Sequence, residues 1–155
     1  MPDTITIRPG LIEDAAIVVA MNMALAEETE GKSLPREIVE RGVATGLSDP
    51  GRCLYFLAQI GQDVVGQTMV TKEWSDWRDG WFWWIQSVYV PAPFRRRGVF
   101  RTLHQHIRNE SKKHADVCGL RLYVHHDNDR AIGTYRELGM AVTEYNLCEE
   151  EFLRR

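Results

Sequence analysis

At 155 residues, with 44% hydrophobic and 26% charged residues, the chain has the makeup of a soluble globular protein and the length for one domain with a real core. A formal net charge of −3 argues against a dedicated nucleic-acid binder, since neutralising phosphates demands a basic excess, yet it leaves room for a local basic site. Cys53, Cys118 and Cys148 are widely spaced without a CxxC pair, which points to reduced thiols rather than a disulfide frame or metal site. The N-terminus has no basic-then-apolar leader pattern. The longest nearly apolar stretch, Ala15 to Ala26, is interrupted by Asn22 and too short to span a bilayer. The expectation is a cytoplasmic protein.

Thr4 to Arg8 alternates and stops at Pro9-Gly10, the pattern of a short strand and a turn. Ile12, Ala16, Val19 and Met23 follow helical spacing, predicting a helix from Leu11 to about Thr29. Glu27, Glu28 and Glu30 crowd its C-terminal end, where the helix dipole disfavours carboxylates; they read either as a solvated end or as a patch that attracts a cationic amine. Ser33 ahead of Leu34-Pro35, with Glu37 behind, suggests the N-cap of a second helix running to about Leu47. Cys53–Ile60 and Val64–Trp74 are strand-like runs around a Gly61-Gln62-Asp63 turn. After the polar turn Ser75–Gly80, Trp81–Val90 makes a third strand and completes an antiparallel meander.

Val99, Leu103 and Ile107 form the apolar stripe of a helix from near Arg97 to near His114. Leu120–His125 is strand-like. Asp127, Asn128 and Asp129 offer N-caps for a helix from Arg130 to Leu138, closed by Gly139. Val142–Cys148 is expected as a last strand, and the tail Glu149–Arg155 as frayed or an interface edge. The order β-α-α-β-β-β-α-β-α-β predicts one α+β domain over residues 1–155.

The stretch with most chemical character runs from Trp83 to Arg101. A β-branched and aromatic strand ends at Pro91 and Pro93, and Arg95, Arg96, Arg97 and Arg101 then surround Gly98 where a helix opens. Backbone N–H groups and guanidinium forks at a helix start can hold an anion; a solvated basic surface is the other reading. No GxxxxGK[ST] and no GxGxxG is present, which removes the P-loop and dinucleotide fingerprints. Trp74, Trp77, Trp81, Trp83 and Trp84 fall close together, with Trp81 and Trp83 on one sheet face and Trp84 on the other. They suit core packing, and one or two could stack on a cationic amine.

Val88-Tyr89-Val90-Pro91-Ala92-Pro93-Phe94-Arg95-Arg96-Arg97-Gly98-Val99-Phe100 at a strand-to-helix junction resembles the acetyl-CoA motif of the GNAT superfamily of N-acetyltransferases. A second motif of that family is matched at Asn128, Ala131, Tyr135, Gly139 and Met140, and the opening Ile7-Arg8-Pro9 with Asp14 is also typical. Phe100 departs from the pattern, standing where the family usually has glycine or alanine; only backbone amides are needed there.

The resemblance implies a mixed, mostly antiparallel sheet flanked by helices, with acetyl-CoA as co-substrate and no metal. It implies that the Val88 N–H faces the thioester carbonyl and that Tyr89 and Val90 pair with the pantetheine amides. The pyrophosphate would lie on Arg95, Arg96, Arg97, Gly98, Val99, Phe100 and Arg101, with Asn128 and Arg130 also contacting the cofactor. Tyr135 would act as general acid toward the departing thiolate. On the acceptor side Glu27, Glu28 and Trp84 lean towards a primary amine, on a small molecule or peptide, attacking directly in a ternary complex. Trp83–Ser87 offers no carboxylate as general base, which leaves Glu28, Glu73, Asp76, an ordered water chain, His125 or His126. His104 and His106 stand two apart on a helix and do not face one another, and no metal is expected there or at His125-His126-Asp127. The alternative is a non-catalytic acyl-CoA-binding regulatory module of the same fold; a basic-loop interaction protein without cofactor is a further one. A homodimer is expected, with Val142, Tyr145 and Leu147 as a plausible contact.

Overall fold

The computed structural model describes residues 3–152; of the expected frayed tail, Leu153, Arg154 and Arg155 lie outside the described residues. The chain groups into two compact units, Met1–Tyr123 and Val124–Arg155. The first holds β1 (Ile5–Pro9), α1 (Ala15–Glu30), α2 (Arg36–Leu47), β2 (Leu54–Ile60), β3 (Asp63–Ser75), β4 (Gly80–Tyr89), α3 (Val99–Lys112) and β5 (Val117–Leu122). The second holds α4 (Asp129–Glu137). No helix among the described residues is long and apolar enough to cross a membrane.

Alternation along the strands makes the sheet two-faced. On β2, Tyr55 and Leu57 pack with Val18, Val19 and Val43 of α1 and α2. Phe56 and Ala58, the residues between and beyond them, pack with Val99, Leu103 and Ile107 of α3. Each fully buried aliphatic side chain of this kind contributes about 1.5–3 kcal/mol. The sheet order is β1-β2-β3-β4-β5, antiparallel throughout except for the parallel β4–β5 pair. The α+β class and the mixed, mostly antiparallel sheet are as the sequence predicts.

Gly66 sets how closely α3 approaches the sheet. A Cβ there would lie 2.8 Å from Val99 Cγ1, so any larger residue would push the first turn of α3 off β3. The position of that turn governs the site described below.

At the start of the chain, Arg8 donates to both carboxylate oxygens of Asp14, at 2.7 and 2.8 Å, and the Leu11 N–H donates to the same group at 2.8 Å. Arg8's hydrogen bond is the main cause holding the Asp14 carboxyl below its usual value. A depressed folded-state value means that the contribution is fully present above the ordinary aspartate range and is lost as pH falls through the folded one. Asp14→Asn should therefore cost about 2 kcal/mol at neutral pH, measured by urea melts. It should also flatten the loss of stability below about pH 4; an acid limb identical to that of the parent protein would remove the pair from this role.

Several boundaries differ from expectation. The helix expected from Leu11 begins at Ala15, after a 3-10 turn over Ile12–Asp14. Pro35, not Ser33, occupies the N-cap of α2, without a side-chain capping bond; its fixed φ suits a helix entry by itself. The expected helix start near Arg97 moves to Val99, because Gly98 takes the N-cap position with a left-handed backbone. β5 begins three residues early, because parallel pairing of Trp81 with Val117 draws the preceding residues into the sheet, and ends at Leu122 rather than His125. No strand forms over 142–148, where every residue is exposed. Val142, Tyr145 and Leu147 do not keep the two-residue period of a single apolar face, and a strand without a partner is unstable in water.

Candidate functional site

The parallel ladder between β4 and β5 stops at Ile85 and Leu122, while β4 continues to Tyr89. Gln86 to Tyr89 therefore present an edge that β5 does not cover. Within this edge lies a bulge: Ser87 and Val88 stand opposite the single residue Thr68, between the pairs Gln67–Tyr89 and Met69–Gln86. Ser87 has a φ of 52°, in the left-handed region that costs a serine about 1–2 kcal/mol. Buried side chains hold it there. Gln67 Nε2 donates to the Ser87 carbonyl at 3.1 Å and to Asn22 Oδ1 of α1 at 2.8 Å, and Thr68 donates to the Gln86 carbonyl at 3.1 Å. Gln67 is fully buried and its Oε1 has no hydrogen-bond partner among the described residues. Strain and an unmet oxygen together mark a feature retained against its own cost.

Beyond Pro91 the chain makes a short 3-10 turn, Ala92–Phe94, and reaches α3 through Arg96 (φ 63°) and Gly98 (φ 81°). Left-handed residues in a loop gather backbone N–H groups on one side, a concavity that suits an anion. The first α-helical bond is from the Thr102 N–H to the Gly98 carbonyl at 3.0 Å, and a Cβ on Gly98 would meet nothing within 4 Å. The helix start is open to solvent, with the positive end of its dipole outward. Phe100 lies against His104, one turn along, with ring centroids 6.0 Å apart.

The arginines are not equivalent. Arg95 donates to the Val90 carbonyl at 2.7 Å and pairs with the Glu28 carboxylate, which also accepts from the Tyr89 hydroxyl at 2.9 Å. Arg95's hydrogen bond and then that of Tyr89 hold Glu28 below the usual carboxylate range, which argues against Glu28 as a general base. This clasp ties the C-terminal part of α1 to the loop. Arg97 reaches Asp3 at 3.4 Å in an exposed pair that is worth little. Arg96 and Arg101 are exposed beside Gly98.

On the α1 side a cavity of about 470 Å³ runs between α1 and α2, floored by Tyr55 of β2 and reaching Ser87 at the bulge. Leu25, Ala26, Leu34, Val39 and Val43 make its apolar walls, and Glu30 carries its only charge. Burial pushes the Tyr55 phenol up to about 12. Of the acidic trio at the end of α1, Glu30 lines this space; Glu27 and Glu28 do not. Trp84 packs against Tyr123, ring centroids 4.5 Å apart, and also lies outside the lining. Asn22, Leu34 and Tyr55 were not singled out from sequence as site residues, although Asn22 is the one polar interruption of an apolar helical run.

The other base candidates are placed as follows. Glu73 accepts from Arg121 at 2.6 Å, and Asp76 is exposed in the β3–β4 turn. His125 hydrogen-bonds Asp127 and stacks on His126; all three are exposed, with possible ligand atoms within 4.8 Å of one another. In the second unit, Asn128 Oδ1 caps α4 by accepting from the Ala131 N–H at 3.1 Å. Gly139 (φ 91°) closes the helix, with the Met140 N–H donating to the Tyr135 carbonyl at 2.9 Å. Tyr135 is half-buried, and burial raises its phenol above the ordinary value. Arg130 is exposed.

Comparison with known proteins bears on what this arrangement is. No curated protein matches the chain. Among solved structures, a possible acetyltransferase from Clostridium difficile 630 is 41% identical, with 97% of this chain and 99% of that chain aligned and a TM-score of 0.89. A transcriptional regulator from Bacillus halodurans C-125 shares the fold at 20% identity, covering 96% and 100% of the two chains, with a TM-score of 0.80. So does a predicted acetyltransferase from Clostridium acetobutylicum, solved with acetyl-CoA, at 14% identity, 95% and 96% coverage and a TM-score of 0.77. The model of the acetyltransferase (GNAT) family matches residues 19–140, and with a 41% identical relative aligned over nearly its whole length the chain belongs to the GNAT acetyltransferase family.

Proposed function

We propose that this protein transfers the acetyl group of acetyl-CoA to a primary amine by direct attack in a ternary complex. The observation that carries the reading is the uncovered, bulged end of β4 running into the open start of α3. An edge of free backbone groups suits an extended chain with amides of its own, which can add to it as a further strand does. Gly98 and its neighbours suit a pyrophosphate at the far end of that chain. The cavity on the α1 side meets β4 at Ser87, one residue from the amide assigned to the thioester carbonyl.

In this reading acetyl-CoA supplies an already activated carbonyl, so the protein's task is alignment and charge stabilisation. A neutral amine attacks the acyl carbon, the Val88 N–H stabilises the oxyanion, and the N–C bond replaces the C–S bond. Tyr135, by its place in the second motif, gives its proton to the sulfur and regains one from solvent, while the amine's surplus proton leaves to solvent. Glu28 is held ionised by Arg95 and orders the loop. Arg96, Gly98 and Val99 hold the phosphates.

Two measurements test this. CoA should bind saturably in a titration and raise the melting temperature progressively, with about 3 kcal/mol of stabilisation at 100 times its dissociation constant. Thiol release from acetyl-CoA should require an added amine. A protein that shows neither does not have this activity, and saturable binding without amine-dependent release is the outcome for a regulatory module.

A further inference from the structure

The cavity between α1 and α2 restricts what the acceptor can be, and this inference rests on the acetyl-transfer reading above. Its volume of about 470 Å³ lies in the range of small-molecule sites. Its walls are mostly aliphatic. The Thr29 hydroxyl donates back to the Leu25 carbonyl at 2.7 Å and Asn22 Oδ1 accepts from Gln67, while the Tyr55 and Ser87 side chains add neutral hydroxyls to the lining. No lysine, arginine or histidine lines it. Glu30 is its single charge, with the Lys32 ammonium 3.5 Å away in an exposed pair, a contact weak enough for another ammonium to replace.

We infer that the acceptor is an amine on an apolar aliphatic or aromatic body, carrying no carboxylate or phosphate. An acid group carried into this space would meet apolar walls and the like charge of Glu30, with no cation in the lining. Helical rise places Glu30 about 12 Å along α1 from Asn22, at the end away from Ser87. Its carboxylate therefore draws the ammonium form to the mouth. The ammonium then passes its proton to solvent water in this open space, since apolar surroundings disfavour the charged form, and reaches the bulge as the neutral nucleophile.

The test compares 2-phenylethylamine with phenylalanine, which has the same skeleton plus a carboxylate. The amine is expected to exceed the amino acid in kcat/KM by about 30-fold or more. Glu30→Gln should raise its KM about three- to fivefold at low salt and leave kcat unchanged. Gly42→Leu fills the cavity from α2: a Cβ there meets nothing within 4 Å, and leucine is a better helix former than glycine. That variant should stay folded, keep its thermal shift with CoA, and lose at least about 90% of amine turnover, as expected when substrate positioning is blocked. Equal use of phenylalanine, full activity of Gly42→Leu, or no turnover of apolar amines by protein that acetylates other amines would each overturn the inference. Absence of a CoA-induced shift in the parent protein overturns instead the acetyl-transfer reading beneath it.

Discussion

Tyr135→Phe is expected to lower the rate of acetyl transfer by about 100-fold or more with little change in affinity for CoA. A phenol ordinarily titrates near 10, above a typical thiol at about 8.5, and burial raises Tyr135 further. At neutral pH the phenol therefore keeps its proton, and in the proposed reaction it hydrogen-bonds to the departing thiolate and protonates it. Phenylalanine keeps the ring and its packing, so loss of kcat with an unchanged CoA-induced thermal shift isolates the hydroxyl. If Tyr135 is the donor, activity on the alkaline side should persist to above about pH 10 in the parent protein. An unchanged kcat in the variant would take Tyr135 out of the reaction.

Leu103→Ala should destabilise the protein by about 3–4 kcal/mol and lower its melting temperature by about 10 °C. Leu103 is fully buried in the middle of the α3 stripe, packed with Val99, Ile107 and Phe56. Its removal leaves a void against a sheet face that cannot collapse, because Gly66 already lets the helix lie as close as it can. Thermal and urea melts measure the cost, and a loss below about 1 kcal/mol would mean that the site closes over the gap.

Much of the framework was legible because it is local. Alternation marked β1, strand-like runs set off by turn residues marked β2 to β4, and the Val99–Leu103–Ile107 spacing marked α3. The same spacing, read one face over, explains His104: it is 2% exposed, neither ring nitrogen has a hydrogen-bond partner among the described residues, and burial lowers its pKa and favours the neutral form. What could not be read depends on contacts distant in sequence. A left-handed φ on Ser87 has no local signature; it exists because Gln67 and Asn22 hold it. Glu28 reads as one of three exposed acids until Arg95, sixty-seven residues later, claims it. The cavity needs α2 and Tyr55 to exist at all, so the choice of Glu30 from its neighbours is a tertiary fact. The expected strand at 142–148 fails for the converse reason: β-propensity there has no partner to act upon.

The clasp of Glu28 on Arg95 gives α1 a double allegiance. The same two turns of helix that present Leu25, Ala26, Thr29 and Glu30 to the cavity also hold the arginine that braces the loop ahead of Gly98. One segment of α1 thus borders both the cavity and the loop, so under the proposed reaction any factor by which one ligand alters the other's affinity acts equally in both directions.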